Sequence, residues 1–157
     1  MKISQVWPLA MLLLLMSSRT SAAVPCASSQ LTAPPVVEDS AGVNELAAAL
    51  NCSGGFFDVE WIGAVIVEKT IRIFGGTTLR ITGAVDGASV ADGANMTPLF
   101  EVDGGTLHLY HLTLTNGTGE RGGAISATDA TLTAVSCVIS SNTCIHGGGG
   151  HISIARY

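Results

Sequence analysis

The sequence is poor in charge, and above all in positive charge. Only 12% of its 157 residues are charged, with seven Lys and Arg against twelve Asp and Glu. Lys2 and Arg19 lie in an N-terminal segment that we expect to be removed, which leaves five basic against twelve acidic residues, a formal net charge of −7. Nucleic acid and anionic membrane surfaces are bound through basic side chains, so neither is a predicted partner.

The sequence also lacks a hydrophobic run long enough to cross a membrane. The stretch from Val6 to Met16 has 11 residues, whereas a spanning helix needs about 20. It follows Lys2 and precedes the small residues Ser21 and Ala23, an order typical of a secretory signal peptide. We therefore predict a signal peptide at residues 1–23, secretion to the extracellular space or the cell surface, and no membrane span after cleavage.

Cysteine is scarce, and its spacing does not suit a zinc site. The four cysteines form no Cys-x-x-Cys pair and do not cluster with histidine, so we predict neither a metal nor a cofactor. An even number of cysteines in an oxidising compartment indicates disulfides. Of the three pairings we favour Cys26–Cys52 and Cys137–Cys144. The open alternative is that Cys137 is a free thiol packed in the core.

Glycine and small or β-branched residues are abundant, and they divide the chain into segments. Residues 24–42 contain three prolines and are predicted to form an extended arm. Asn44 can cap a short helix with Leu46 and Leu50 on one face, so residues 43–55 are predicted to form a capping helix and a turn. Over residues 56–157, short runs of alternating apolar and polar residues between glycine pairs predict β-strands.

A repeat of 25 residues decides the fold. Residues 107–114 align with 132–139 so that the apolar positions match, and residues 75–81 align with 104–109 at an offset near 28. This period suits one coil of three short strands that pair in parallel with the next coil, about 4.8 Å away. We predict an all-β fold, a right-handed single-stranded parallel β-helix of about four coils with a short N-terminal capping helix. The rival antiparallel sandwich does not predict this repeat.

Two motifs carry a family resemblance over roughly residues 56–150. Gly122-Gly123-Ala124-Ile125, followed by Ile139-Ser140-Ser141-Asn142, resembles the repeats of chlamydial polymorphic outer membrane proteins, which alternate a Gly-Gly-Ala-Ile motif with a Phe-x-x-Asn motif. Residues 70–83 resemble the opening coil of right-handed, pectin-lyase-like β-helix proteins. Ile139 stands where the bacterial repeat has Phe, and that family's C-terminal β-barrel has no counterpart here. The resemblance therefore implies the β-helix module, and neither adhesion nor transport.

The aligned register sorts side chains into an interior and an exterior. We expect Arg72, Glu101 and Ser126 in one outward column, and Arg80, His108 and Thr133 in another. Asp103 and Tyr110 are also expected to point outward. The predicted inward residues are Ile71, Ile73, Leu79, Ile81, Phe100, Val102, Leu107 and Leu109.

Outward ladders of this kind hold acidic and basic groups in polysaccharide lyases and hydrolases of the pectin-lyase-like class. The resemblance therefore makes Glu101, Asp103 and Arg72 the candidate catalytic residues. A surface ion pair between Arg72 and Glu101 is the simpler interpretation.

Three Asn-x-Ser/Thr sequons begin at Asn51, Asn95 and Asn116. We predict glycosylation at Asn116, which lies in an Asn-Gly turn, and at Asn51. The alternative at Asn116 is a turn asparagine in the left-handed conformation.

Together these features predict a secreted or cell-surface β-helix module that is not catalytic and presents a flat face to extracellular glycans or cell-surface proteins. The alternative is a polysaccharide-active lyase, hydrolase or epimerase of the pectin-lyase-like class, or a degenerate remnant of one. Because the sequence stops where another coil would begin, we also expect a shortened relative of a longer protein, or association through an uncapped C-terminal coil.

Overall fold

The computed structural model describes residues 36–51, 55–146 and 152–155. The predicted signal peptide, Cys26, Cys52 and His151 lie outside these residues. The helix α1 (Ser40–Leu50) has 11 residues, and no helix in the described segments is long and apolar enough to cross a membrane. The strands are β1 (Val36–Val37), β2 (Gly55–Trp61), β3 (Ala64–Ile66), β4 (Ile71–Phe74), β5 (Thr77–Gly83), β6 (Val90–Asp92), β7 (Phe100–Asp103), β8 (Thr106–Tyr110), β9 (Thr113–Thr115), β10 (Thr118–Gly119), β11 (Ile125–Thr128), β12 (Thr131–Val135), β13 (Val138–Ser140), β14 (Thr143–Cys144) and β15 (Ile152–Ala155).

These strands form stacked sheets in which each strand pairs in parallel with its neighbours. Sheet A has the order β1-β2-β5-β8-β12, sheet B β3-β6-β9-β13, sheet C β4-β7-β11-β15, and sheet D consists of β10 and β14. Neighbours within a sheet are separated along the chain by strands of the other sheets, so the chain returns to each sheet once per coil. The fold is a parallel β-helix of about four coils, as the sequence predicted.

The register reproduces the predicted repeat between the later coils. Leu132 pairs with Leu107 at an offset of 25, and Thr106 pairs with Thr78 at an offset of 28. The first coil is shorter, because Thr78 pairs with Phe56 at an offset of only 22. The turns between the strands absorb these differences in length, so the inward and outward positions stay aligned from coil to coil.

Inward side chains stack into apolar columns that hold the coils together. One column contains Phe57, Leu79, Leu107 and Leu132 in successive coils. Burying each aliphatic side chain of such a column contributes roughly 1.5–3 kcal/mol of transfer free energy. The eight predicted inward residues are all buried, at 0% or 1% exposure: Ile71, Ile73, Leu79, Ile81, Phe100, Val102, Leu107 and Leu109.

The capping helix forms, but it begins earlier than predicted. Asp39, not Asn44, is the N-cap, and its Oδ1 accepts a 2.8 Å hydrogen bond from the backbone N–H of Gly42. Asn44 lies inside the helix and is exposed. The carboxylate of Asp39 is correctly placed because β1, just before it, pairs with β2 and fixes where the chain turns. The buried side chains of α1 cover the first coil: Val43, Leu46 and Leu50.

The predicted disulfide between Cys137 and Cys144 is wrong, because both are free thiols. Cys137 lies between β12 and β13 and packs against the core, which confirms the free thiol of the alternative, although the residue is only half-buried. Cys144 lies in β14, where it pairs with Gly119 of the preceding coil and its Sγ donates to the carbonyl of Glu120 at 3.3 Å. The two cysteines belong to different corners of the coil, each bonded locally, so their sulfurs are not brought together.

Candidate functional site

One outward column on sheet C contains the predicted catalytic candidates. Arg72, Glu101 and Ser126 are in register, as predicted. The Nε of Arg72 lies 3.0 Å from Oε2 of Glu101, and the two side chains are 61% and 47% exposed. Asp103 lies in the adjacent column and is also exposed. An ion pair this exposed to solvent contributes at most about 1 kcal/mol, so its geometry is that of an ordinary surface pair.

Sheet C therefore places Arg72, Glu101 and Asp103 near one another on an open, exposed face. In the described part of the chain, no group of three or more His, Cys, Asp and Glu side chains could hold a metal ion. Glu101 is engaged by Arg72, and the next side chain along its column is Ser126. The face is therefore a charged surface, on which, among the described residues, no second titratable side chain stands beside Glu101 in the position that a general acid or base would need.

A second outward column, on sheet A, also contains an ion pair. Asp58, Arg80, His108 and Thr133 are in register across the four coils. The Nη1 of Arg80 lies 3.6 Å from Oδ2 of Asp58. Its Cζ lies 5.4 Å from the centroid of the Tyr110 ring, a cation–π distance. Arg80, which is 46% exposed, thus contacts a carboxylate of the coil before and an aromatic ring of the coil after.

The strand alternation explains why these side chains share a face. In β5 every second residue is buried, so that Thr78, Arg80 and Thr82 point outward. Threonine also takes other outward positions of this sheet, and each hydroxyl both donates and accepts hydrogen bonds. The outward threonines of sheet A are Thr78, Thr82, Thr106, Thr131 and Thr133.

A shallow depression adjoins Arg80 on this face. It has a volume of about 180 Å³ and is lined by Asp58, Val59, Glu60, Thr82 and Gly83. Pockets that enclose a small molecule usually measure about 300–1,000 Å³. The depression is too small to enclose a ligand of that kind.

His108 lies in the middle of the same column, between Arg80 and Thr133. Its Nδ1 is buried and has no hydrogen-bond partner among the described residues. A buried polar atom without a partner is costly, so the site is not fully satisfied as it stands. The atom is covered, however, and the ring would have to rotate before a ligand could reach it.

The predicted glycosylation sites lie outside the strands that form the two columns. Asn116 has φ 53°, and its Nδ2 donates a 3.0 Å hydrogen bond to Oδ1 of Asp92. The left-handed turn conformation named as the alternative is therefore present, and glycosylation at Asn116 stays a prediction. Asn51 is exposed at the end of α1, and Asn95, also exposed, has φ 60°.

Sequence reasoning identified Arg80, His108 and Thr133 but missed the acidic end of the sheet A column. Asp58 and Glu60 lie in the first coil, 22 residues before their partners, whereas the repeat of the later coils has offsets of 25 and 28. The available signal was the alternation of residues 57–61, which matches that of residues 79–83 once the shorter offset is allowed.

In comparisons with protein-family models, with curated proteins and with solved structures, no match to this chain was found.

Proposed function

We propose that this protein is a secreted, non-catalytic β-helix module that binds extracellular glycans on the outer face of sheet A. The observation that carries the proposal is Arg80, which is 46% exposed and contacts both Asp58 and Tyr110 on a face rich in threonine hydroxyls. Its guanidinium offers several hydrogen-bond donors to a ligand, and its two contacts reduce the conformational freedom that it loses on binding.

The chemistry of this face favours a glycan over a protein. Protein interfaces are usually centred on buried aromatic and aliphatic anchors. Here the central positions are a charged pair, a histidine and threonines, while the large exposed apolar residues of the sheet lie at its margins: Val36, Phe56 and Val135. Hydroxyl-rich ligands can exchange their bonds to water for bonds to such polar groups, one set of side chains per coil.

We also propose a narrower structural class for the β-helix. The Gly122–Ile125 motif and residues 70–83 support a right-handed, pectin-lyase-like β-helix with repeats like those of chlamydial polymorphic outer membrane proteins. The leader at residues 1–23 supports secretion, which would place sheet A where extracellular glycans are found.

Glycan-array binding by the mature chain tests the proposal, with Arg80→Ala as the diagnostic variant. We expect wild type to retain a defined set of glycans, and Arg80→Ala to weaken their binding by at least roughly tenfold, the loss of one charge-assisted contact. Arg72→Ala is the matched control, because Arg72 is also an exposed, ion-paired arginine but lies on sheet C. It should bind as wild type does.

Three outcomes would contradict this function. They are the absence of glycan binding, equal losses in the Arg80 and Arg72 variants, and specific capture of a protein that competes with no glycan. The last outcome would identify a protein-binding module instead.

A further inference from the structure

The dipeptide Asn-Gly occurs once in the sequence, at Asn116 and Gly117. Asparagine is most prone to deamidation before glycine, because glycine has no side chain to hinder attack by its backbone nitrogen. The dipeptide lies in a coil corner between β9 and β10, where Asn116 has φ 53° and Gly117 is buried. The most reactive context for an asparagine is therefore built into a fixed corner of the solenoid.

Deamidation joins two atoms of this dipeptide. The backbone nitrogen of Gly117 attacks Cγ of Asn116 and forms a new C–N bond. The C–N bond of the side-chain amide breaks, and its nitrogen leaves as ammonia with the proton that the backbone nitrogen gives up. Water then opens the resulting succinimide at either carbonyl, which leaves aspartate or isoaspartate at position 116. Water is the only co-reactant.

Both reacting groups are engaged in the folded protein, by neighbours on opposite sides. Nδ2 of Asn116 donates a 3.0 Å hydrogen bond to Oδ1 of Asp92, which lies in the coil before. The N–H of Gly117 donates a 2.7 Å hydrogen bond to Oδ1 of Asn142, which lies in the coil after. Attack requires the N–H of Gly117 to give up this acceptor and its proton. We call Asp92, Asn116, Gly117 and Asn142 the Asn116 corner.

The backbone of the dipeptide is bonded on both sides as well. The carbonyl of Asn116 accepts a 2.7 Å hydrogen bond from the N–H of Asn95, and the carbonyl of Gly117 accepts one of 2.8 Å from Thr143. Ring closure draws the nitrogen of Gly117 towards the side chain of Asn116 and so strains these bonds. The reaction therefore proceeds from an opened corner, and the closed corner opposes it.

The products do not fit the closed corner. Aspartate would place a second carboxylate where the amide nitrogen now lies, 3.0 Å from Oδ1 of Asp92. Two ionised carboxylates at this distance repel each other, and neither can donate a hydrogen bond. Isoaspartate adds a methylene to the main chain, which shifts Gly117 away from Asn142. Either product therefore favours the open corner.

We propose that Asn116 is a deamidation site that the closed corner protects, that local opening exposes, and that keeps the corner from closing again once it is modified. Coils of a solenoid contact only their neighbours, so this corner can open without unfolding of the whole chain. The rate of deamidation then reports the fraction of time for which the corner is open.

Peptide mass mapping of the mature chain, incubated folded at mildly alkaline pH, measures the rate at Asn116. The chain is made in a bacterial host, because glycosylation of Asn116 would block the same nitrogen. We expect wild type to stay unmodified while a peptide of residues 113–119 deamidates. Asn142→Ala removes the acceptor of the Gly117 N–H and should speed the reaction at least roughly fivefold, the effect of one lost buried hydrogen bond on an opening equilibrium.

Leu46→Ala is the control for a general loss of stability. Leu46 is buried in α1, which lies on the first coil, and the Asn116 corner contains no residue of that coil. Its rate of deamidation should therefore equal that of wild type. Far-UV circular dichroism establishes that each variant is folded. If Asn142→Ala does not fold, the comparison of folded wild type with the peptide decides whether the corner protects.

A pair of variants tests the block to closure. Asn116→Asp introduces the product directly and should unfold at a lower urea concentration than wild type. Adding Asp92→Asn should recover most of this loss, because an amide at position 92 can donate to the carboxylate at position 116. Asp92→Asn alone should not be more stable than wild type, since it removes no repulsion.

Four outcomes would overturn the proposal. Folded wild type could deamidate as fast as the peptide, or Asn142→Ala no faster than wild type. Leu46→Ala could match the acceleration of Asn142→Ala, which would make global unfolding the route. Asn116→Asp could be as stable as wild type, which would mean that the modified corner closes.

Discussion

The side chain of Asn142 completes the backbone hydrogen bonding of the coil before it. Its Oδ1 accepts a 2.7 Å hydrogen bond from the N–H of Gly117, and its Nδ2 donates to the carbonyls of Leu114 and Ser140 at 3.0 and 2.8 Å. Gly117 lies so close to the carbonyl oxygen of Gly123 that a Cβ there would clash. Asn142 therefore completes the hydrogen bonds of a corner at which residue 117 must be glycine.

Replacing this asparagine should destabilise the last two coils. Asn142→Ala would leave the N–H of Gly117 without its partner, in a site where the side chain is 7% exposed, and would remove a second hydrogen bond to the carbonyl of Leu114. We expect a loss of about 1–3 kcal/mol in the free energy of unfolding, measured by urea denaturation, which is the usual cost of one orphaned buried group. Thr143→Ala, at the exposed neighbour, is the control. Equal losses in the two variants would show that the hydrogen bonds of Asn142 are not what matters.

Truncations within one inward column should differ in cost along the solenoid. Leu107 is fully buried, whereas Leu132, next in the column, is only partly buried. Leu107→Ala should lose about 2–5 kcal/mol of unfolding free energy, and Leu132→Ala less, since a partly exposed side chain leaves a smaller cavity. Urea denaturation measures both. If Leu132→Ala were the costlier change, burial of the side chain would not be what sets the cost along this column.

The interior of this fold was predictable because a solenoid repeats the same environment. Once Leu107 was aligned with Leu132, the alternation of each strand fixed which residues face inward, and the structure confirms the eight that were named. The outward columns of Arg72 and Arg80 followed from the same alignment. Neither result required knowledge of contacts between distant segments, because the offset itself encodes them.

The errors arose where the repeat gives no information. Asp39 caps α1 because β1 pairs with β2, a contact between segments that do not resemble each other. The shorter first coil concealed Asp58, the partner of Arg80. Cys137 and Cys144 are only seven residues apart, and that nearness favoured a bond, but a coil corner separates them.

The ion pair of sheet C gives a test of the enzymatic alternative. Glu101→Gln removes the carboxylate that lies 3.0 Å from Arg72 but keeps the size of the side chain. We expect the unfolding free energy to change by less than about 1 kcal/mol, because the pair is exposed. We also expect wild type and variant alike to release no product from acidic polysaccharides, followed by new reducing ends and unsaturated sugars. Degradation by wild type that Glu101→Gln abolishes would replace the binding function with a lyase or hydrolase.

The thiols of Cys137 and Cys144 should remain free when the protein is made in a secretory host. Each sulfur donates to a nearby carbonyl, Cys137 to Val135 at 3.4 Å and Cys144 to Glu120 at 3.3 Å, and neither lies within bonding distance of the other. Alkylation of the unfolded, unreduced chain followed by peptide mass spectrometry should therefore label both residues. The control is a sample reduced before alkylation, which gives full labelling of every cysteine. A cross-linked peptide that joins Cys137 to Cys144 would mean that this corner closes differently, because the turn between β12 and β14 would then have to bend until the two sulfurs met.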